Sequence, residues 1–194
     1  LIYFSIKIGI KKTLNFHFIF LLICLQGFMG WYMVSSGLVD RVDVSHFRLA
    51  IHLILAFIIL SLVLWNFLNF KKINLPIKKV NNFLPSIFII LLFLQVIIGA
   101  FVSGMDAGKI YNSWPLMGTS YFPNDSTMLN LFSLTVFNDP SLVQFIHRNL
   151  AYLILGFYLI ILFKIYLNEM NEYFKIIGLI GFFLFFQILL GILT

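Results

Sequence analysis

Charged residues punctuate this chain and leave long apolar stretches between them. No Lys, Arg, Asp or Glu occurs in residues 13–39, 49–70, 80–105 or 176–194. Each stretch exceeds the roughly 18 residues that a helix needs to cross about 30 Å of hydrocarbon. A fifth, 142–163, holds only Arg148 near one end, within snorkelling reach of the interface. The pattern predicts five transmembrane helices, over about 14–34, 47–69, 84–104, 142–163 and 175–194. The fold class is all-α, a polytopic transmembrane helix bundle.

The intervening residues set the orientation, because Lys and Arg collect in short loops on the cytoplasmic or matrix side. Lys7, Lys11 and Lys12 precede the first span, Lys71, Lys72, Lys78 and Lys79 join the second to the third, and Lys164 and Lys175 flank the turn between the fourth and fifth. Those loops are expected inside. The opposite side carries Arg41, Arg48, Lys109 and Arg148 with Asp40, Asp43, Asp106, Asp125 and Asp139, and the last span ends there. The first span is too long for the apolar region of a cleaved signal peptide and has no small-x-small site after it. Residues 1–12 are interfacial at most.

By this organisation residues 1–70 hold the first two spans and 71–83 form an inner basic linker. Residues 84–194 hold the other three spans, with an outer loop at 105–141. The loop contains Pro115, Pro123 and Pro140, and also 129–137, an apolar run too short to span and suited to lying flat on the outer surface. Loops of this length serve as functional lids or as plain connectors, and both readings stand.

Composition then removes whole classes of function. With 61% hydrophobic and 10% charged residues, the chain lies far from the roughly 45–50% and about 25% of soluble domains. The net charge of +6 comes from basic residues scattered at span ends, so no nucleic-acid partner is expected; the partner is the lipid bilayer. Cys24 stands alone in an apolar run, which excludes a disulfide framework, a cysteine zinc site and a Cys-x-x-Cys pair. Any metal must come through His17, His46, His52 and His147.

An internal repeat narrows the choice. Gln26 and Gly30, Gln95 and Gly99, and Gln187 and Gly191 each read Gln, three residues, Gly, on spans one, three and five. Spans two and four share His, two residues, Leu, Ala, at His52–Ala56 and at His147–Ala151. The repeated unit is a helix pair, and the third copy has no second helix here, so the natural protein is expected to continue at least one helix further.

A polar side chain in a membrane span is a site hypothesis with a partner to be found. His52 and His147 sit near the outer ends of their spans, and a neutral imidazole in a dry bundle is a good axial ligand for haem iron. Ala56 and Ala151, at i+4, leave room for a flat macrocycle, and Gly30 and Gly99 permit close backbone approach. Arg48 and Arg148 lie toward the outer interface, placed to pair with haem propionates. Equally, an intramembrane His serves as a hydrogen-bonding post between helices, through Gln26 or Gln95, and that reading stays open. His17 and His46 read as structural, and no carboxylate lies within any span.

The segments Gln26–Leu38, Phe47–Leu53, Gly99–Gly108, Tyr111–Met117 and Gln144–Arg148 together closely resemble the haem A synthase family in its mitochondrial and alphaproteobacterial form. The resemblance implies an eight-helix membrane oxidoreductase of two four-helix halves, which converts the C8 methyl of haem O to the formyl group of haem A for cytochrome c oxidase. It also implies a haem b cofactor that relays electrons while the methyl carbon is hydroxylated twice. Haem O synthase and cytochrome c oxidase assembly factors are the implied protein partners. The five spans would be helices three to seven, with His52 an axial ligand where the substrate haem reacts and His147 an axial ligand of haem b.

Two family features have no match: the Glu-His-Arg motif, whose Glu is the favoured catalytic residue, and the eighth-helix His. The catalytic residue is therefore unknown, the expected Glu lying outside this chain, and the chain alone is expected to be an incomplete, inactive fragment. The alternative is a non-catalytic b-type haem membrane protein carrying electrons, and after it a haem-free scaffold. High Ile, Asn, Lys and Phe usage favours a bacterial inner membrane, with the mitochondrial inner membrane as alternative.

Overall fold

The computed structural model describes residues 2–37, 44–71 and 83–193. Its helices are α1 (Ile2–Ile8), α2 (Ile10–Gly37), α3 (His46–Lys71), α4 (Phe83–Gly104), α5 (Pro140–Leu167) and α6 (Phe174–Leu193). Short 3-10 segments occupy Ala107–Lys109, Met128–Phe132, Leu134–Asn138 and Asn171–Tyr173. Among the described residues there is no strand, only an isolated bridge between Met117 and Ser120. Five segments are long and apolar enough to cross a membrane: Thr13–Ser35, His46–Lys71, Phe83–Gly104, Pro140–Leu167 and Asn171–Leu193. The chain is a multi-pass helical membrane protein, with each predicted span lying within or nearly coincident with one of these segments.

Contacts divide it into two compact units, Leu1–Asn74 and Leu75–Thr194. In the first, α2 packs along α3. Before it, α1 ends where Gly9 takes a φ of +100°, a conformation that only glycine adopts without strain. This break folds Ser5 back onto α2, where its hydroxyl meets Thr13 Oγ1 at 2.9 Å and His17 Nε2 at 3.1 Å, while His17 Nδ1 lies 2.9 Å from the Thr13 carbonyl. The residues expected to be merely interfacial thus form a short helix, and His17 is held in a local polar knot.

In the second unit α4 packs along α5, and α6 against the Lys164 end of α5. The buried core there is Phe88, Ile154, Ile161, Ile165 and Ile177. Helix α5 starts where it does because Asp139 caps it, its carboxylate accepting from the N–H groups of Ser141 (3.0 Å) and Leu142 (3.1 Å), with Pro140 in the first turn. Tyr158 of α5 donates to the Ile177 carbonyl of α6 at 3.1 Å. It reaches that carbonyl only because residue 181, one turn further along α6, is a glycine: a Cβ there would overlap the Tyr158 hydroxyl.

The loop between α4 and α5 is a folded element, anchored on α5. Gln144 Nε2 donates to the Tyr111 carbonyl at 2.9 Å, Tyr121 to Asn149 Oδ1 at 2.6 Å, and Trp114 Nε1 to the Tyr152 hydroxyl at 2.9 Å. The rings of Tyr121 and Phe122 meet Phe145 edge-on, at 5.7 and 5.1 Å between centroids.

Gly181→Ala is expected to displace Tyr158 and loosen α6 from α5 at a cost of about 1–3 kcal/mol. Equilibrium unfolding in mixed detergent micelles measures this, and Gly178→Ala, with open space around it, should leave stability nearly unchanged.

Candidate functional site: a twin glutamine–histidine pair

On α2, Gln26 and Gly30 are one helical turn apart and share a face. Helix α3 lays His52 against that face, and Gln26 Nε2 lies 3.2 Å from His52 Nε2. Gly30 makes the approach possible, since a Cβ there would sit 3.2 Å from His52 Cε1 and 3.8 Å from Nδ1. The second unit repeats the arrangement on α4 and α5. Gln95 Nε2 lies 3.2 Å from His147 Nε2, and a Cβ at Gly99 would lie 3.2 Å from Cε1 and 3.7 Å from Nδ1. Gln95 also donates to the His147 carbonyl at 3.2 Å. The hydrogen-bonded post between helices is therefore present in both units.

The pairing does not satisfy its members. A Gln N–H can donate to Nε2 only when the ring proton is on Nδ1, yet Nδ1 of both His52 and His147 is buried with no hydrogen-bond partner. The Oε1 atoms of Gln26 and Gln95 are in the same position. Turning either amide over would let Oε1 accept from Nε2–H and leave Nδ1 as a bare lone pair. Each unsatisfied buried group costs roughly 1–3 kcal/mol. Each unit thus carries an imidazole nitrogen with unused bonding capacity, beside a glycine on the facing helix.

The two arginines are held differently. Arg48, one turn before His52, places its guanidinium 5.0 Å over the ring of Tyr32, a cation–π contact at the end of α2. Arg148 follows His147 directly and clamps the loop: Nη1 donates to the Ser113 carbonyl at 2.8 Å and the Leu116 carbonyl at 3.4 Å, and Nη2 to the Tyr111 carbonyl at 2.6 Å. His46 opens α3 with its ring 4.3 Å from that of Phe47. Among the described residues no group of three or more His, Cys, Asp or Glu side chains gathers to hold a metal ion.

The loop clamp escaped sequence reasoning, although its signal was there. Gln144, Arg148 and Tyr152 recur at i, i+4 and i+8, a polar stripe along one face of an apolar helix. Beyond it, Asp125 accepts from the Ser141 hydroxyl at 2.6 Å and the Tyr111 hydroxyl at 2.9 Å. The Ser141 bond, foremost, holds the Asp125 carboxyl below the usual carboxylate range. Burial and the bond to Asp125 push the Tyr111 phenol above its ordinary value.

A family model for COX15-CtaA, described as cytochrome oxidase assembly protein, matches residues 1–194. The chain belongs to this family. It is 50% identical over 192 residues to the heme A synthase of Pelagibacter ubique, covering 95% of this chain and 55% of that protein. It is 48% identical over 159 residues to that of Rickettsia bellii, covering 78% of this chain and 47% of the relative. With that of Wolbachia pipientis wMel it shares 39% over 199 residues, all of this chain and 55% of the relative. The chain spans about half the length of the curated relatives it matches. No solved structure matches it. The resemblance first read from short segments such as Gln26–Leu38 and Tyr111–Met117 holds over the whole chain.

Gly99→Val is expected to drive its branched side chain into the His147 ring and destabilise the α4–α5 pair by about 1–3 kcal/mol, read from unfolding in mixed micelles. Gly27→Ala, where nothing lies within 4 Å, is the matched control.

Because Asp125 has a lowered folded pKa, its stabilising contribution is full above the ordinary carboxylate pKa and is lost as pH falls through the folded value. Tyr111 has a raised one, so its contribution is full below the ordinary phenol pKa and is lost as pH rises through the folded value. Protection factors of loop amides, measured against the intrinsic exchange rate at each pH, should therefore fall at both extremes, and Asp125→Asn should abolish the acid limb.

Proposed function

We propose that the protein containing this chain is a heme A synthase, a membrane oxidoreductase that converts the C8 methyl of haem O to the formyl group of haem A for cytochrome c oxidase. In this reading His52 would hold the iron of the substrate haem O, and His147 would hold that of a haem b cofactor. The observation that carries it is the pair of half-buried imidazoles, each with a buried Nδ1 lacking any partner. A post used only for helix packing would gain nothing from an unpaired nitrogen, whereas an axial ligand needs one ring nitrogen for iron and a partner that orients the other.

Haem b, when bound, would supply one-electron redox chemistry. The chain's own residues do the rest. Gln26 and Gln95 fix the orientation of each ring through the Nε2 contact. Gly30 and Gly99 keep one edge of each ring free of side chain. Apolar helix surfaces keep water from the reacting carbon, and Arg48 and Arg148 pair with propionates through whatever capacity Tyr32 and the loop carbonyls leave them. Residues 13–39, 49–70, 80–105, 142–163 and 176–194 hold no carboxylate, so no catalytic acid or base is assigned there. The membrane is the bacterial inner membrane, in keeping with the bacterial relatives, and haem O synthase is the natural supplier of substrate.

Pyridine haemochrome spectra and haem O turnover of the intact protein test this. His147→Ala should lose the haem b absorbance; His52→Ala should keep most of it and abolish haem A formation. Retention of both cofactor and activity in both variants would overturn the assignment, and haem b without turnover in the unmutated protein would favour the electron-carrier alternative.

A further inference from the structure

The outer loop carries a small apolar surface that the haem reading does not use. Residues 126–138 contain no charged side chain. The two 3-10 segments there, Met128–Phe132 and Leu134–Asn138, expose Met128 (61%), Leu129 (81%), Phe132 (90%) and Leu134 (87%). In a 3-10 helix residues i and i+3 eclipse. Leu129 and Phe132 therefore stack on one side, Asn130 and Ser133 on a second, and the half-buried Leu131 falls on a third.

This surface is pinned rather than loose. Val136 is buried and Phe137 meets Phe101 of α4 edge-on at 5.8 Å. Ser126 donates to the Asp139 carboxylate at 2.9 Å, so the segment's start is tied to the cap of α5. Phe101 lies in the last turn of α4, whose apolar run ends at Met105 before Asp106. The segment is thus fixed at the level where a membrane span passes from hydrocarbon to headgroups, roughly 5–7 Å of interface on each side of the bilayer core.

We propose that Leu129, Phe132 and Leu134 insert into the outer leaflet at the headgroup–acyl boundary, with the lipid bilayer as their partner. Two observations favour lipid over a protein partner. The patch is held through Phe137 and Phe101 at the depth of the last turn of α4, where that apolar helix ends, and its uncharged run separates apolar from small polar side chains, as an interfacial segment does. The anchor fixes the far end of the loop, while Arg148, Gln144 and Tyr152 fix the near part. The whole loop is thereby braced between bilayer and α5.

The test is nitroxide scanning of the intact protein in phosphatidylcholine–phosphatidylglycerol vesicles, with native cysteines, Cys24 included, replaced by serine. Labels at Leu129→Cys, Phe132→Cys and Leu134→Cys should collide several-fold more with oxygen than with a water-soluble nickel chelate, relative to a label at Asn130→Cys. Nickel accessibility equal to that at Asn130 would overturn the proposal by placing the patch in water. Immobile spectra shielded from both reagents would also overturn it, by showing that protein covers the patch, whether a second copy, a partner or another part of the same protein. All three positions are exposed, so the substitutions leave packing intact; three sites in two segments keep the outcome readable if one labels poorly.

Discussion

The structure depends on the cost of leaving a polar side chain unpaired in hydrocarbon. Water is absent there, so each such group must find its partner on a neighbouring helix or on the chain itself. Gln26 answers His52 on the next helix, and Gln95 answers His147 in the same way, at the same 3.2 Å. Those pairings set which faces of α2 and α3, and of α4 and α5, meet. Glycine at the fourth position after each Gln then decides how closely the ring can lie.

The same constraint shapes the outer loop. Counting roughly 20 apolar residues back from Lys164 places the outer edge of the hydrocarbon near Phe145. Arg148 lies about one turn from that edge, and the loop packs against it. Irregular backbone beside a membrane span needs donors from protein. Arg148 supplies them to the carbonyls of Tyr111, Ser113 and Leu116. A charge costly by itself becomes the means by which loose backbone is satisfied.

The two units share the Gln, Gly, His and Ala positions and differ around them. Position 53, which follows His52, is Leu, where the second unit has Arg148. The second unit therefore has an arginine directly beside its histidine, with the loop docked on it. The first instead places Arg48 over Tyr32, one turn earlier on the helix. One Gln–Gly–His–Ala module thus occurs twice, in different surroundings.

The sequence by itself determined the five spans, because hydrocarbon thickness and charge avoidance act on composition and length, which a single chain displays. It also displayed the Gln/Gly and His/Ala repeat, since spacing along a helix fixes which residues share a face. Tertiary structure decided which nitrogen Gln95 faces, that Nδ1 stays unpaired, and that Arg148 spends its donors on loop carbonyls rather than standing free at the interface. Those outcomes depend on residues 32 to 52 positions apart meeting in space. Rotation of one helix against another, and the path of a loop, leave no local signature in composition or period. The stripe of Gln144, Arg148 and Tyr152 announced that something polar would dock on α5; only the fold supplied the backbone that did.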